Sequence, residues 1–386
     1  MDSSFRRDRL TWVAYVMLAW FAFLQASPGL FVPHLRDELD LSYAVGGLHV
    51  AAFAAGSMFA GLVSSRLDRA LGRRRLVWAS SAVLVAGTTG LVAGDTVHVT
   101  IGSVLVMGVG GGLLLATIQA ALADHHGARS TVALTEANVA ASVAYVVLIG
   151  SFALAAALDL DWRTALVASF LVPVLTWWAS RGLAIDVAAA HETGPARLPA
   201  AFWVAAGVLV CVTAAEWCVT AWGATFVDDV VGVSTDTAIT LMGAYFAGVV
   251  LGRVLGSRLA RRHHPARLLA VALVVTVVGF GVFWPSTAPG QAVVGLGLLG
   301  VGLGNLFPMA LSLAVSVAPG RAGPASGRAV TMTSLAVLLA PLTVGALADA
   351  TSLKAALGVV PVMLALAAVG LVLVRRTARS AVVSPG

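Results

Sequence analysis

Three charged residues stand out inside otherwise apolar stretches of this chain: Glu136, Glu216 and Arg253. A charge placed in hydrocarbon is costly, so such a residue is kept for a partner or a function. Glu216 lies in Glu216-Trp217-Cys218-Val219-Thr220-Ala221-Trp222, with no basic residue within a helical turn along the sequence. Low dielectric disfavours the charged form of a carboxyl group, and the chemistry that suits is reversible uptake and release of a proton. The alternative is a carboxyl hydrogen-bonded to a neighbouring helix that never titrates. Glu136 follows Arg129 by seven residues, about 10 Å along a helix, and Arg253 precedes Arg258 by five, about 7 Å. Their depths match. His49, in another apolar run, is either a titrating group near physiological pH or a satisfied core histidine.

The elements that must position these residues follow from composition. The chain of 386 residues is 59% hydrophobic and 11% charged, against about a quarter charged in soluble domains. Lipid is therefore its main solvent. Twelve apolar runs of helical, membrane-crossing length are expected, over residues 11–32, 42–63, 76–93, 99–122, 132–158, 164–183, 200–227, 237–256, 268–284, 291–317, 329–348 and 353–374. This predicts an all-α integral membrane protein. Pro28, Pro173, Pro308, Pro341 and Pro361 are expected to kink their helices. Cys211 and Cys218, seven residues apart on one helix, are about 10 Å apart along its axis and too far to bridge.

A net charge of +6 raises the question of nucleic acid, and the placement of the charges answers it. Threading twelve spans with both termini on one side puts twenty arginines there, while the other side receives Arg36, Arg163 and Lys354. The positive-inside rule makes the termini cytoplasmic. The basic excess reports topology, not a nucleic-acid partner. Arg6, Arg7 and Arg9 precede a stretch too long for a signal peptide, so the first helix is read as uncleaved. No metal-site pattern, nucleotide-binding sequence or catalytic cluster is found, so no cofactor is expected and the function is not enzymatic. The near-total use of Arg over Lys suggests a GC-rich bacterial genome, hence a bacterial inner membrane.

Self-comparison at an offset of 192 is informative. Ser65-Arg66-Leu67-Asp68-Arg69 meets Ser257-Arg258-Leu259-Ala260-Arg261, and Gly108-Val109-Gly110-Gly111-Gly112 meets Gly300-Val301-Gly302-Leu303-Gly304. Each block has four identities in five, and Arg129 meets Arg321 in the same register. A duplication into two pseudo-symmetric six-helix halves is expected, residues 1–190 and 200–386, joined by a cytoplasmic linker over 191–199.

The loop after the second span, Asp68-Arg69-Ala70-Leu71-Gly72-Arg73-Arg74-Arg75, resembles the signature loop of the major facilitator superfamily, although Ser64 replaces its leading Gly and one residue is inserted before Gly72. Asp161-Trp162-Arg163 before the sixth span and the half-length repeat extend the resemblance over the whole chain. Glu216, Trp222 and Phe226 are similar, more weakly, to the seventh helix of its fucose-permease-like branch. The resemblance implies a secondary active transporter of a small organic solute that works by alternating access, as a monomer in the lipid bilayer. Proton-coupled import through Glu216 and export of a drug-like or biosynthetic product are its two versions. A polytopic enzyme and a transport-dead sensor are remote alternatives.

The resemblance also distributes roles. Helices one, four, seven and ten line the cavity in this family, which makes Gln25, Trp20, Glu216, Trp217, Trp222 and Asn305 candidates for substrate or proton binding, with His49 beside them. Asp68, with Arg69, Gly72 and Arg73, is implied as a cytoplasmic latch steadying the outward-open state, with Arg328 and the second-copy Arg258 as its counterparts. Helices five and eight face each other in the family, so Glu136 and Arg253 are expected to form a gating ion pair; the alternative is that Arg253 snorkels to the interface.

Overall fold

The computed structural model describes residues 6–182, 197–259, 262–263, 265–318 and 321–383. Residues 191–196 of the linker expected over 191–199 lie outside the described residues, as do Ala260 and Arg261 of the second loop copy. The chain divides into two compact units, Met1–Leu41 with Leu48–Ala190, and Ser42–Gly47 with His191–Gly386. Every described regular element is helical, and eleven helices are long and apolar enough to cross a membrane. A shorter apolar helical stretch, Arg163–Ala179, stands in the position of the sixth span.

The first unit begins with α1 (Arg9–Ala26), whose first turn is capped by the Asp8 carboxylate accepting from the Thr11 N–H at 3.0 Å. At Ser27 the span breaks, because Pro28 has no N–H to continue the ladder and starts α2 (Pro28–Leu39). α2 carries Arg36, Asp37 and Glu38 in helix where the sequence reading placed a loop. α3 (Tyr43–Leu71) and α4 (Arg73–Ala93) meet at Gly72, whose φ of 77° is open to glycine and strained for other residues. α5 (Val97–His126) and α6 (Ser130–Ala157) follow. The sixth span is not one helix but α7 (Arg163–Ala168) and α8 (Leu171–Ala179). Pro173 explains the break, since it cannot donate to the Ser169 carbonyl, and Val172 donates there instead at 3.0 Å.

In the second unit α9 (Ala200–Phe226) runs on into a wide π-type turn, Val227–Val231. α10 (Thr235–Leu259), α11 (Pro265–Phe283), α12 (Pro289–Ser316) and α13 (Ala322–Ala350) follow, then the short α14 (Leu353–Ala356) and α15 (Val359–Val383). Pro308 and Pro341 sit inside the continuous helices α12 and α13, while Pro361 opens α15.

Within each unit the packing repeats at the sequence offset. A side chain on Gly108 of α5 would strike the Phe53 carbonyl of α3, and one on Gly300 of α12 would strike the Tyr245 carbonyl of α10. Gly110 meets Leu84 and Ser80 of α4, while Gly302 meets Thr276 and Ala272 of α11. Each pair of neighbours differs by 192, as the glycines do. The glycine rows are therefore lines of backbone-to-backbone contact, which is how membrane helices associate without a hydrophobic drive between them. Large apolar side chains also cover the outside, Leu62, Leu171, Val274 and Trp178 among them, as a lipid-facing surface requires.

Candidate functional site

Glu216 sits on α9, half-buried, and among the described residues nothing donates a hydrogen bond to its carboxylate. The cation that acts on it electrostatically is Arg253 of α10, in the same unit. One turn further along α9, the Thr220 hydroxyl meets the hydroxyl of the buried Tyr245 at 3.0 Å. Trp217, next to Glu216, is half-buried, and Gln25 on α1 is half-buried with no hydrogen-bond partner among the described residues.

Four residues expected to face solute are committed elsewhere within their own units. Trp222 is buried and donates its indole N–H to the Pro341 carbonyl at 2.9 Å. Trp20 is buried and donates to the Ser169 hydroxyl at 3.2 Å, across the break between α7 and α8. Asn305 donates to the Gly252 carbonyl at 2.6 Å, clamping α12 to α10 against Gly256. His49 is fully buried, with Nε2 2.9 Å from the Thr100 hydroxyl, the satisfied core histidine of the alternative reading.

The loop at Gly72 holds a charge network. Arg73 is buried to 4% exposure and forks between two carboxylates, Asp68 at 3.0 Å and Asp124 at the end of α5 at 2.6 Å. The sequence reading placed Arg73 with Asp68 in the latch and missed Asp124, which lies 51 residues from Arg73. Only one oxygen of Asp68 is used; Oδ1 is buried without a hydrogen-bond partner. Arg69 and Arg258 are exposed and Arg328 is half-buried.

Glu136 has its own partners in the first unit. Arg7 donates to both of its oxygens, at 2.7 and 2.6 Å, and the Tyr15 hydroxyl adds a third bond at 3.0 Å. Matching depth and the facing helices five and eight of the family had paired Glu136 with Arg253; here Glu136 is held by Arg7, which precedes α1 and lies 129 residues away. Beside it Asp8 meets His125 at 2.7 Å, and Thr11 meets His126 at 2.8 Å. Burial works to raise the Asp8 carboxyl, but the Thr11 hydroxyl and N–H and the His125 ring outweigh it and hold Asp8 below its ordinary range. This cluster ties the entry of α1 to the ends of α5 and α6.

At the opposite end of the same unit, the Asp161-Trp162-Arg163 run has a structural cause. Arg163 grips Glu38 of α2 with both terminal nitrogens, at 3.0 and 2.5 Å, and its guanidinium lies 4.4 Å from the Trp162 ring centroid. Trp162 donates to Glu38 at 2.7 Å and stacks with Phe31 and His34. No cluster able to hold a metal is present among the described residues.

Residues 205–386 match the Major Facilitator Superfamily model. The chain is 26% identical to the cyanate transport protein CynX of Escherichia coli K12 over 318 residues, 78% of this chain and 79% of that protein. It is 23% identical to an uncharacterised MFS-type transporter of Yersinia pestis over 86% of this chain and 87% of the other. Among solved structures, a D-xylose-proton symporter superposes with a TM-score of 0.76 at 15% identity, covering 95% of this chain and 96% of that one. The nucleoside transporter NupG gives 0.77 at 11% identity over 96% and 99%. A bacterial homologue of the lysosomal transporter Spinster, inward-facing and occupied, gives 0.75 at 14% over 95% and 96%. The repeated helical packing, the loop at Asp68 and these likenesses make the chain similar to the multi-pass transporters of the Major Facilitator Superfamily, whose model its second half matches.

Proposed function

We propose that this transporter moves a small organic solute across a bacterial inner membrane by alternating access, with both termini cytoplasmic and Glu216 as the site where a proton and the solute compete or combine. The observation that carries this is the Glu216 carboxylate, half-buried in the middle of a membrane helix with no hydrogen-bond donor among the described residues. A carboxyl group used only to hold helices together would have its oxygens filled, as those of Glu136 are. Gln25 and Trp217 are the remaining candidates to contact solute. In this cycle Glu136 and Arg253 act as gating charges, Glu136 exchanging Arg7 for Arg253. The partnerless oxygen of Asp68 supports a latch that accepts a donor, with Arg328 as the proposed donor, in another state of the cycle. The protein works as a monomer.

One observation favours the export version. With Trp20, Trp222, Asn305 and His49 committed to their own units, few of the expected polar groups are left among the described residues to recognise a hydrophilic solute, and apolar contacts suit a drug-like or biosynthetic product. The test is proton movement by the purified protein in proteoliposomes against sugars, nucleosides, cyanate and drug-like cations, with wild type beside Glu216→Gln. Cyanate is included because CynX carries it in its name. Wild type is expected to couple one class to protons and the variant to lose that coupling. Coupling that survives in Glu216→Gln removes Glu216 from the mechanism.

A further inference from the structure

The start of α3 is held in a manner the transport reading does not require. Ser42–Gly47 packs with the second unit, although residues 48 onwards belong to the first. The Asp349 carboxylate, at the end of α13, accepts from two backbone N–H groups at the start of α3, Tyr43 to one oxygen at 2.8 Å and Ala44 to the other at 2.9 Å. Those N–H groups have no partner within their own helix, and the positive end of the helix dipole favours the anion. The Tyr43 hydroxyl donates to Asp229 at 2.7 Å, and its ring meets Trp222 edge to face, centroids 6.0 Å apart.

Close backbone approach completes the joint. A Cβ on Gly345 of α13 would stand 2.5 Å from the Tyr43 carbonyl and 3.0 Å from the Trp222 ring. One on Gly47 would stand 3.2 Å from the backbone at Pro341 and Leu342. The hydrogen bond from Trp222 to Pro341 locks the wall against which this segment lies. Attraction from Asp349 and Asp229 and clearance at two glycines thus act on the same six residues.

We infer that Asp349, Tyr43, Asp229 and Gly345 form an outer clasp on the start of α3, which must release and reform in each transport cycle. Its sidedness rests on the proposal that the termini are cytoplasmic. A hydrogen-bonded carboxylate suits a reversible clasp: each bond is charge-assisted, yet water replaces the donors once the segment withdraws.

The test is labelling of Ala44→Cys with a membrane-impermeant maleimide on intact cells, in a Cys211→Ser, Cys218→Ser background, with the exposed Ser42→Cys as sidedness marker. Asp349→Ala removes the attraction; Gly345→Ala leaves the carboxylate and fills the clearance. Both are expected to raise the Ala44→Cys labelling rate at least about tenfold, a shift of about 1.4 kcal/mol towards the open clasp. The Ser42→Cys rate should stay as in the parent. Unchanged Ala44→Cys labelling in both variants, with normal gel-filtration profiles, overturns the clasp. Should Gly345→Ala fail to fold, Tyr43→Phe, which removes the Asp229 bond alone, replaces it with a smaller increase expected. Labelling of Ser42→Cys only after permeabilisation overturns the orientation instead, and the ratio of variant to parent, measured in permeabilised cells, then still decides the clasp.

Discussion

A guanidinium that serves two carboxylates from a nearly closed site is hard to replace. Arg73 reaches Asp68 with one terminal nitrogen and Asp124 with the other, and only a planar fork spans both. Arg73→Ala would leave two carboxylates facing each other without their cation, and a cost of about 2–4 kcal/mol is expected. Arg73→Lys should fall between, because an ammonium group keeps the charge but makes one good contact at a time. Thermal unfolding in detergent checks the order: wild type above Lys above Ala. Equal midpoints for the Lys and Ala variants would mean that geometry contributes everything and charge nothing. The residue scale is also where the sequence was least readable. Glu216 and Glu136 could be picked out because charge in an apolar run is rare, and Asp68 and Arg73 through the resemblance of their loop, but the partners of Glu136 and Arg73 could not. Arg7 and Asp124 are brought in by the way helices meet, over separations of 129 and 51 residues. Nor does a span that is apolar all round reveal which way Asn305 or Trp222 points.

Helices were far more legible than side chains, because crossing hydrocarbon demands a long apolar run whatever the neighbours are. What blurred was their interruption. Pro28 and Pro173 break their spans, whereas Pro308 and Pro341 are absorbed within α12 and α13, and the surroundings of each proline decide between the two. The glycine rows entered the sequence analysis as matching blocks of a repeat, and the structure gives each a packing target. Gly108→Ala and Gly300→Ala each drive a methyl group into a backbone carbonyl of the helix alongside, which no rotamer change relieves. Both should lower the unfolding midpoint and by similar amounts, about 1–3 kcal/mol each. Gly207→Ala is the control, since its Cβ would meet nothing within 4 Å. There the better helix propensity of alanine should leave stability equal or higher by up to about 1 kcal/mol. A loss at Gly207 as large as at Gly108 would show that helix propensity and lipid contact, not close approach, govern these positions.

At the scale of the molecule, a duplication seen as a few matching pentapeptides turns out to be a repeated packing plan. Phe53 and Tyr245 are different residues, yet each offers its carbonyl to the glycine 55 positions later. Conserved backbone geometry under divergent side chains means that each unit supplies its own helix contacts, and the peptide link across 191–199 is not what holds either one together. Two chains, 1–190 and 191–386, should therefore insert separately and recover transport when produced together, at a reduced level because the linker no longer keeps the halves at high effective concentration. One part of the prediction is asymmetric. Ser42–Gly47 is covalently part of the first half but packs in the second unit, so the first half alone lacks the Asp349 acceptor for its Tyr43 and Ala44 amides. Hydrogen exchange at those two amides should be fast in the isolated first half and slow again when the second half is added, while α5 stays protected throughout. If the amides remain protected without the second half, the start of α3 is held by its own unit. If α5 loses protection as well, the first half has no autonomous core, and the repeat records ancestry without independence.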